Sequence, residues 1–454
     1  MRAPASVPPA HPPDHTAPAP GQPAPDQLAS DQLASDQPAP PPLVRLGWLD
    51  ALRAIAALVV AFQHAAYRYV PSLHWEITQW FDPGTYGITV FFLVSGYIVP
   101  ASLSRTGNVR GFWISRLFRI YPLWAVASTA IVLLAVTDVA EWRFGLPDLA
   151  PGTAVLAHVT MLQDLLFVPS VINVLWTLSY EMAFYLLVVA LFTTRLHTRP
   201  APIAVAFALG AVVCGSLLPV AGLSQAAGID VVVAVATVAA LGAIGCAMSG
   251  HAVVRTAGAL LGGVLSLVLV IGNGRVGPWQ GLAIMATMFL GTAIYQAERG
   301  HASRRVVAVA AAVVLACSVA AGAWHSRTWG LPAAAEAAFQ RGWASAMVLA
   351  ALTFGLGLAL RHRRLPRLLT GIGLISYSIY LLHPALFQSL DHIVGRPRHD
   401  APGMLAAAFG VLLLVSWVSY RLVEAPAQRL GRALARRWSS PATTATAATA
   451  ANAG

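Results

Sequence analysis

Apolar residues run in blocks along this chain, and short polar, arginine-bearing stretches separate them. A block of about 20 apolar residues crosses the hydrocarbon layer once as an α-helix. Twelve such spans are predicted, over 48–69, 86–104, 117–137, 171–193, 201–220, 230–249, 253–272, 279–297, 304–323, 341–360, 371–391 and 403–423. The sixth and seventh nearly touch, so the expectation is about 10–12 helices in one bundle. Helices bond their own backbone groups, which a dry bilayer core demands. The alternation of a membrane β-barrel is absent. The expected fold class is an all-α polytopic membrane protein with disordered termini. Its expected parts are a Pro/Ala-rich tail over 1–43, a transmembrane domain over 44–430, and a basic then disordered tail over 431–454. The repeat DQLAS-DQLAS-DQPAP at 26–40 contains no apolar run with which to build a core. The same lack excludes a signal peptide there. No soluble catalytic domain is expected after the helices.

Composition sharpens the class. The 454 residues are 57% hydrophobic and 10% charged. All 29 basic residues are arginine, and the net charge is +11. Such an excess can signal nucleic acid. Here the arginines lie between apolar blocks, which is a topology signal, and nucleic-acid binding is set aside. Placing the N-terminus in the cytoplasm puts Arg105, Arg110, Arg116, Arg119, Arg195, Arg199, Arg255, Arg299, Arg304, Arg305, Arg361, Arg363, Arg364, Arg367 and the Arg421–Arg437 stretch inside. Outward loops then keep Arg68, Arg143, Arg275, Arg327, Arg341, Arg396 and Arg398. Cys214, Cys246 and Cys317 fall in apolar spans without metal or disulfide spacing, and are read as packing residues.

Several polar groups fall at membrane depth, where they are costly and usually mark a site or an ion path. Arg53 and His64 lie eleven positions apart on the first span. That spacing is three turns plus roughly 20°, so they share a helix face about 16 Å apart along the axis. Ser95 lies in FFLVSGYIV, Glu181 in LWTLSYEMAFYLL and His383 in SYSIYLLHP. A lone carboxylate in lipid is expensive, so Glu181 should face the bundle with a partner: His64, Arg53 or a tyrosine hydroxyl. Packing accounts compete for the others. Ser95–Gly96 suits close helix approach, and Tyr377 and Tyr380 suit a packed or interfacial stripe. Arg116 and Arg119, three apart, project together. Paired guanidinium groups suit phosphate, and equally suit headgroup anchoring. The set fits either chemistry on a phosphorylated donor from the cytoplasm or a proton-coupled transporter.

The ordered motifs discriminate. Arg53 with His64 (R-x10-H), FFLVSG at 91–96, Arg116-Leu117-Phe118-Arg119 with Tyr121-Pro122, WTLSYEMAFY at 176–185, SYSIYLLHP at 376–384 and Glu424-Ala425-Pro426 together resemble the acyltransferase 3 family of integral membrane O-acyltransferases. The resemblance covers roughly residues 45–427. It implies transfer of an acyl group, usually acetyl, from acyl-CoA to a hydroxyl of a sugar, glycan, glycolipid or glycosylated metabolite. It implies His64 as the catalytic imidazole with Arg53 its companion, and Arg116 and Arg119 as holders of the CoA phosphates. Glu181 is expected to orient His64, as the acid of a triad does. Ser95, Ser179, Tyr185, Tyr377 and His383 are expected in support. No metal is expected. The implied setting is a bacterial plasma membrane, with association between copies left open. Direct attack assisted by His64 is favoured over an acyl-enzyme on His64 or Ser95. The competing function is a transporter or flippase of lipid-linked sugars, which predicts an internal repeat and a broken helix near midspan. No repeat is evident. The H-x4-D pattern of soluble acyltransferases is also missing.

Overall fold

The computed structural model describes residues 46–142, 145–215 and 217–437. The tail expected over 1–43, the tail after 438, and Arg143 lie outside the described residues. Among the described residues every regular element is a helix. Those that build the bundle are α1 (Gly47–Tyr69), α2 (Pro71–Thr78), α3 (Pro83–Thr106), α4 (Val109–Val136), α5 (Pro151–Val159), α6 (Trp176–Thr193), α7 (Pro200–Val213), α8 (Gly222–Ala227), α9 (Ile229–Ala247), α10 (Ala252–Gly272), α11 (Pro278–Glu298), α12 (Arg304–Ser326), α13 (Ala333–Ala359), α14 (Arg367–Leu374), α15 (Ser376–Val394), α16 (Pro402–Ser419) and α17 (Ala425–Arg437).

Among the described residues, nine helical stretches are long and apolar enough to cross a membrane, or ten if the broken pair α14–α15 counts as one span. The two near-touching spans are separate helices, α9 and α10, packed on each other. The span expected over 201–220 ends at Val213 after 14 residues. The span expected as continuous over 371–391 bends by 65° at Ile375. Gly373 explains where α14 lies. A Cβ there would sit 2.0 Å from the carbonyl oxygen of Asp50, so only glycine lets α14 rest on the first turn of α1.

Local signals set the ends. Asp82 caps α3 by accepting from Thr85 N–H at 3.0 Å, with Pro83 at the first helical position. Gly107, at φ +62°, closes α3 in the left-handed conformation. Asn108 then caps α4 by accepting from Gly111 N–H at 2.9 Å. This cap starts α4 eight residues before the expected span.

Helix α11 forms the middle of the bundle, with 17 of its 21 residues buried. It packs on α3, α7 and α12. Its polar groups find partners: Gln296 donates to His197 O at 2.7 Å, and Glu298 accepts from Tyr97 and, at 2.8 Å, from Arg361. Its crossing with α3 is as close as backbone permits. A Cβ on Gly96 would lie 1.9 Å from Met288 O, and one on Gly291 would lie 2.4 Å from Leu93 O. Small residues at such a crossing replace the missing hydrophobic drive by close van der Waals contact. The α5–α6 connection is a buried loop. Asn273 donates to Leu165 O at 3.0 Å, and the Asp164 N–H donates to Ser179 Oγ at 3.1 Å.

Candidate functional site

A cleft opens where α1, α3, α4, α6 and α15 meet. Arg53, Ser95, Arg119, Glu181 and Tyr377 all line it, with Thr177, Ser376 and Tyr380. Phe91, Phe92, Ile88, Ile120 and Leu178 supply an apolar wall. Of the polar groups that looked costly in the sequence, Arg53 of α1, Ser95 of α3 and Glu181 of α6 thus converge here.

Glu181 is half-buried and holds the centre of the hydrogen bonding. The Tyr185 hydroxyl, one turn along α6, donates to Glu181 Oε1 at 2.6 Å. The Ser95 hydroxyl donates to the same oxygen from α3 at 3.3 Å. Of the partners expected for this carboxylate, a tyrosine hydroxyl therefore engages it directly. Arg53 shares its cleft and lies within electrostatic reach of Glu181, Asp50 and Arg119. Two cations and one carboxylate leave the cleft net positive, which suits an anionic or carbonyl-bearing ligand.

Arg116 and Arg119 part company. Arg119 lines the cleft. Arg116 is 7% exposed, donates to Ser102 Oγ at 3.2 Å and lies over the rings of Phe112 and Tyr185 at 5.5 and 5.6 Å. One turn on a helix brings two side chains to one face, but neighbouring helices decide how deeply each is covered. Arg116 thus braces Tyr185, which in turn holds Glu181.

His64 does not line this cleft. Its ring stands against His383, with centroids 5.0 Å apart. The pair adjoins the cleft through Tyr380, whose ring is 6.2 Å from His383. Tyr377 lines the cleft while its hydroxyl donates to Ile120 O at 3.0 Å, tying α15 to α4. Ser179 is fully buried and holds the α5–α6 loop rather than the cleft. Glu424 of the closing motif is 3% exposed and accepts from Ser378, so that motif fastens α15 to the turn before α17.

Sequence reasoning passed over Thr177 and set Tyr380 aside as packing. Their hydroxyls bond each other at 2.9 Å on the cleft wall. The available signal was the register of Thr177 with Glu181, four residues and one turn apart on α6.

A second concavity lies at the α3–α4, α6–α7 and α9–α10 turns. Arg110, Arg195, Arg255 and His197 line it, and no carboxylate does.

The family match and two of the relatives below carry acyl transfer in their names. Residues 46–421 match the family model described as "Acyltransferase domain". The chain is 31% identical over 160 residues to the acyltransferase MdmB of Streptomyces mycarofaciens, covering 32% of this chain and 39% of that protein. It is 29% identical over 174 residues to a Staphylococcus aureus protein named for O-acetyl transfer, covering 33% and 25%. It is 29% identical over 163 residues to nodulation protein 10 of Rhizobium leguminosarum, covering 30% and 41%. The chain thus spans well under half the length of these relatives. No solved structure matches it.

Proposed function

This chain belongs to the acyltransferase family whose domain it carries from residue 46 to 421, and on that premise we propose that it is a membrane O-acyltransferase. It takes an acyl group, acetyl in the first instance, from acyl-CoA and places it on a hydroxyl of a sugar, glycan, glycolipid or glycosylated metabolite. The N-terminus lies in the cytoplasm of a bacterial cell, and the donor enters from the arginine-rich end.

The observation that carries this reading is the cleft itself: Arg53, Ser95, Arg119, Glu181 and Tyr377, scattered over more than 300 residues of sequence, line one cavity. In this reading Arg119, which lines the cleft, meets donor phosphate, and Arg116 adds field from behind. The arginines of the second concavity offer the nucleotide end another cationic surface. Arg53 faces the thioester carbonyl and steadies the oxyanion that forms on attack. His64 takes the proton from the acceptor hydroxyl as the C–O bond forms, and the departing thiolate of CoA recovers a proton. Glu181 fixes the charge balance around Arg53, with Tyr185 and Ser95 fixing Glu181.

The broken span α14–α15 is a feature transporters share. Here the break delivers Ser376 and Tyr377 to the cleft wall. The matched family favours acyl transfer over transport.

Mass spectrometry of surface glycans and secreted metabolites, from cells with and without this chain, tests the proposal. An acyl increment present only with the chain is expected, and its dependence on His64 should be complete. Identical acylation in both cells, with altered export of an unmodified lipid-linked sugar, would replace enzyme by transporter.

A further inference from the structure

His383 is a buried imidazole whose tautomer the backbone sets. Proline at position 384 has no N–H, so the carbonyl of Tyr380 loses its usual partner four residues on. His383 turns its ring back onto this turn of α15. Its Nδ1 lies 3.0 Å from Ile379 O, with a further backbone contact to Tyr380. A carbonyl only accepts, so Nδ1 carries the proton. The side chain is 0% exposed, and an unpaired charge in so dry a place is expensive, so the ring is neutral. Its other nitrogen, Nε2, is then a bare lone pair. Among the described residues that buried atom has no hydrogen-bond partner. A buried acceptor of this kind calls for explanation. The ring facing it, at 5.0 Å between centroids and 38° between planes, is His64.

We propose that His383 is a positioning residue for the reaction, with Nε2 as the acceptor that orients His64 and shares the proton His64 acquires. The inference rests on the proposed acyl transfer with His64 as base. It gives the orienting role to a second imidazole, because the hydrogen bonds to Glu181 come from Ser95 and Tyr185. The balance is simple. The acceptor O–H bond breaks as its oxygen joins the acyl carbon, and the proton passes to one nitrogen of His64. During the reaction the N–H on the other nitrogen of His64 turns to His383 Nε2, the acceptor left unpaired among the described residues. The thioester C–S bond breaks, and the sulfur takes the proton as CoA leaves. Two neighbouring imidazoles hold at most one extra proton between them, since two such charges side by side repel.

The test uses the full chain in detergent micelles with three variants, His383→Phe, His383→Gln and His64→Ala. Labelled acetyl-CoA is the donor, and the acceptor is the cell fraction that gains the acyl increment. Phenylalanine keeps the ring and removes both nitrogens. Glutamine keeps a side-chain acceptor. Expected is a kcat about 100-fold lower for His383→Phe, at unchanged KM for acetyl-CoA, the size typical of lost proton-transfer assistance. His383→Gln should recover about tenfold of that loss, the worth of one hydrogen bond. Both should elute and melt as the parent does. Nitrogen NMR of ¹⁵N-histidine-labelled protein should show His383 protonated on Nδ1. Wild-type kcat in His383→Phe, equal losses in both variants, or a proton on Nε2 would each overturn the proposal. Activity surviving His64→Ala would instead overturn the assignment of His64 as base, and the NMR result stands apart from either.

Discussion

Tyr185→Phe isolates one proton. The hydroxyl of Tyr185 donates to Glu181 Oε1 at 2.6 Å from a side chain that is fully buried. Hydrogen bonds to a charged acceptor are worth about 1.5–3 kcal/mol, against about 0.5–1.5 kcal/mol for neutral pairs. The phenylalanine ring still lies beneath the Arg116 guanidinium, which sits 5.6 Å from the Tyr185 centroid. Packing is therefore kept, and the loss should appear in catalysis rather than in folding. If Glu181 acts in the transition state, kcat/KM falls by about 10- to 150-fold. Ser95→Ala removes the longer bond at 3.3 Å and should cost only about 2- to 10-fold. The assay is transfer of labelled acetyl from acetyl-CoA to the acceptor fraction, in membranes carrying equal amounts of each protein. A double-mutant cycle with Glu181→Ala completes it, since residues in one network are non-additive. Tyr185→Phe should add little in the Glu181→Ala background. The reasoning fails if Tyr185→Phe matches the parent while Glu181→Ala is inactive, or if the tyrosine change costs the same in both backgrounds.

Other outcomes follow from the same geometry. Arg119→Ala should raise the apparent KM for acetyl-CoA about tenfold. Arg116→Ala should chiefly lower thermal stability by about 1–3 kcal/mol, because it empties a packed site under Tyr185; donor-saturation curves and melting scans separate the two. Gly96→Ala should leave little folded protein by size exclusion, because its Cβ meets Met288 O at 1.9 Å, whereas Gly355→Ala, with nothing within 4 Å, should be neutral or stabilising by about 0.5–1 kcal/mol. Asp164, in the buried α5–α6 loop, has its carboxyl pushed up to about 7 by burial, partly countered by Arg275. The folded chain thus keeps a proton that the unfolded chain loses near pH 4, so stability falls as pH rises from about 4 to 7, by at most about 4 kcal/mol. Asp164→Asn should flatten that dependence in melting temperature against pH, and an unchanged slope would discount it.

The order of apolar blocks determined much of this molecule. A bilayer crossing needs about 20 apolar residues, so block length announces crossings. Among the described residues nine of the twelve expected blocks are whole spanning helices, 371–391 is a broken one, 201–220 is cut short at Val213, and 279–297 is a helix enclosed by the bundle. The motif residues were legible because charge at membrane depth is costly enough to stand out. Spacing on one helix placed Arg53 and His64 on a common face, and Arg116 and Arg119 near each other. Spacing within a helix does not say what covers each face, and there the packing decided. It opened Arg119 to the cleft and buried Arg116 under aromatic rings. It turned Ser179 to a loop backbone and broke the span before Tyr377. It brought His383 onto His64 across 319 residues of sequence. Which side chains share a cavity depends on how rigid helices cross, and the crossings depend on absent atoms such as the Cβ of Gly96 and Gly373 as much as on those present.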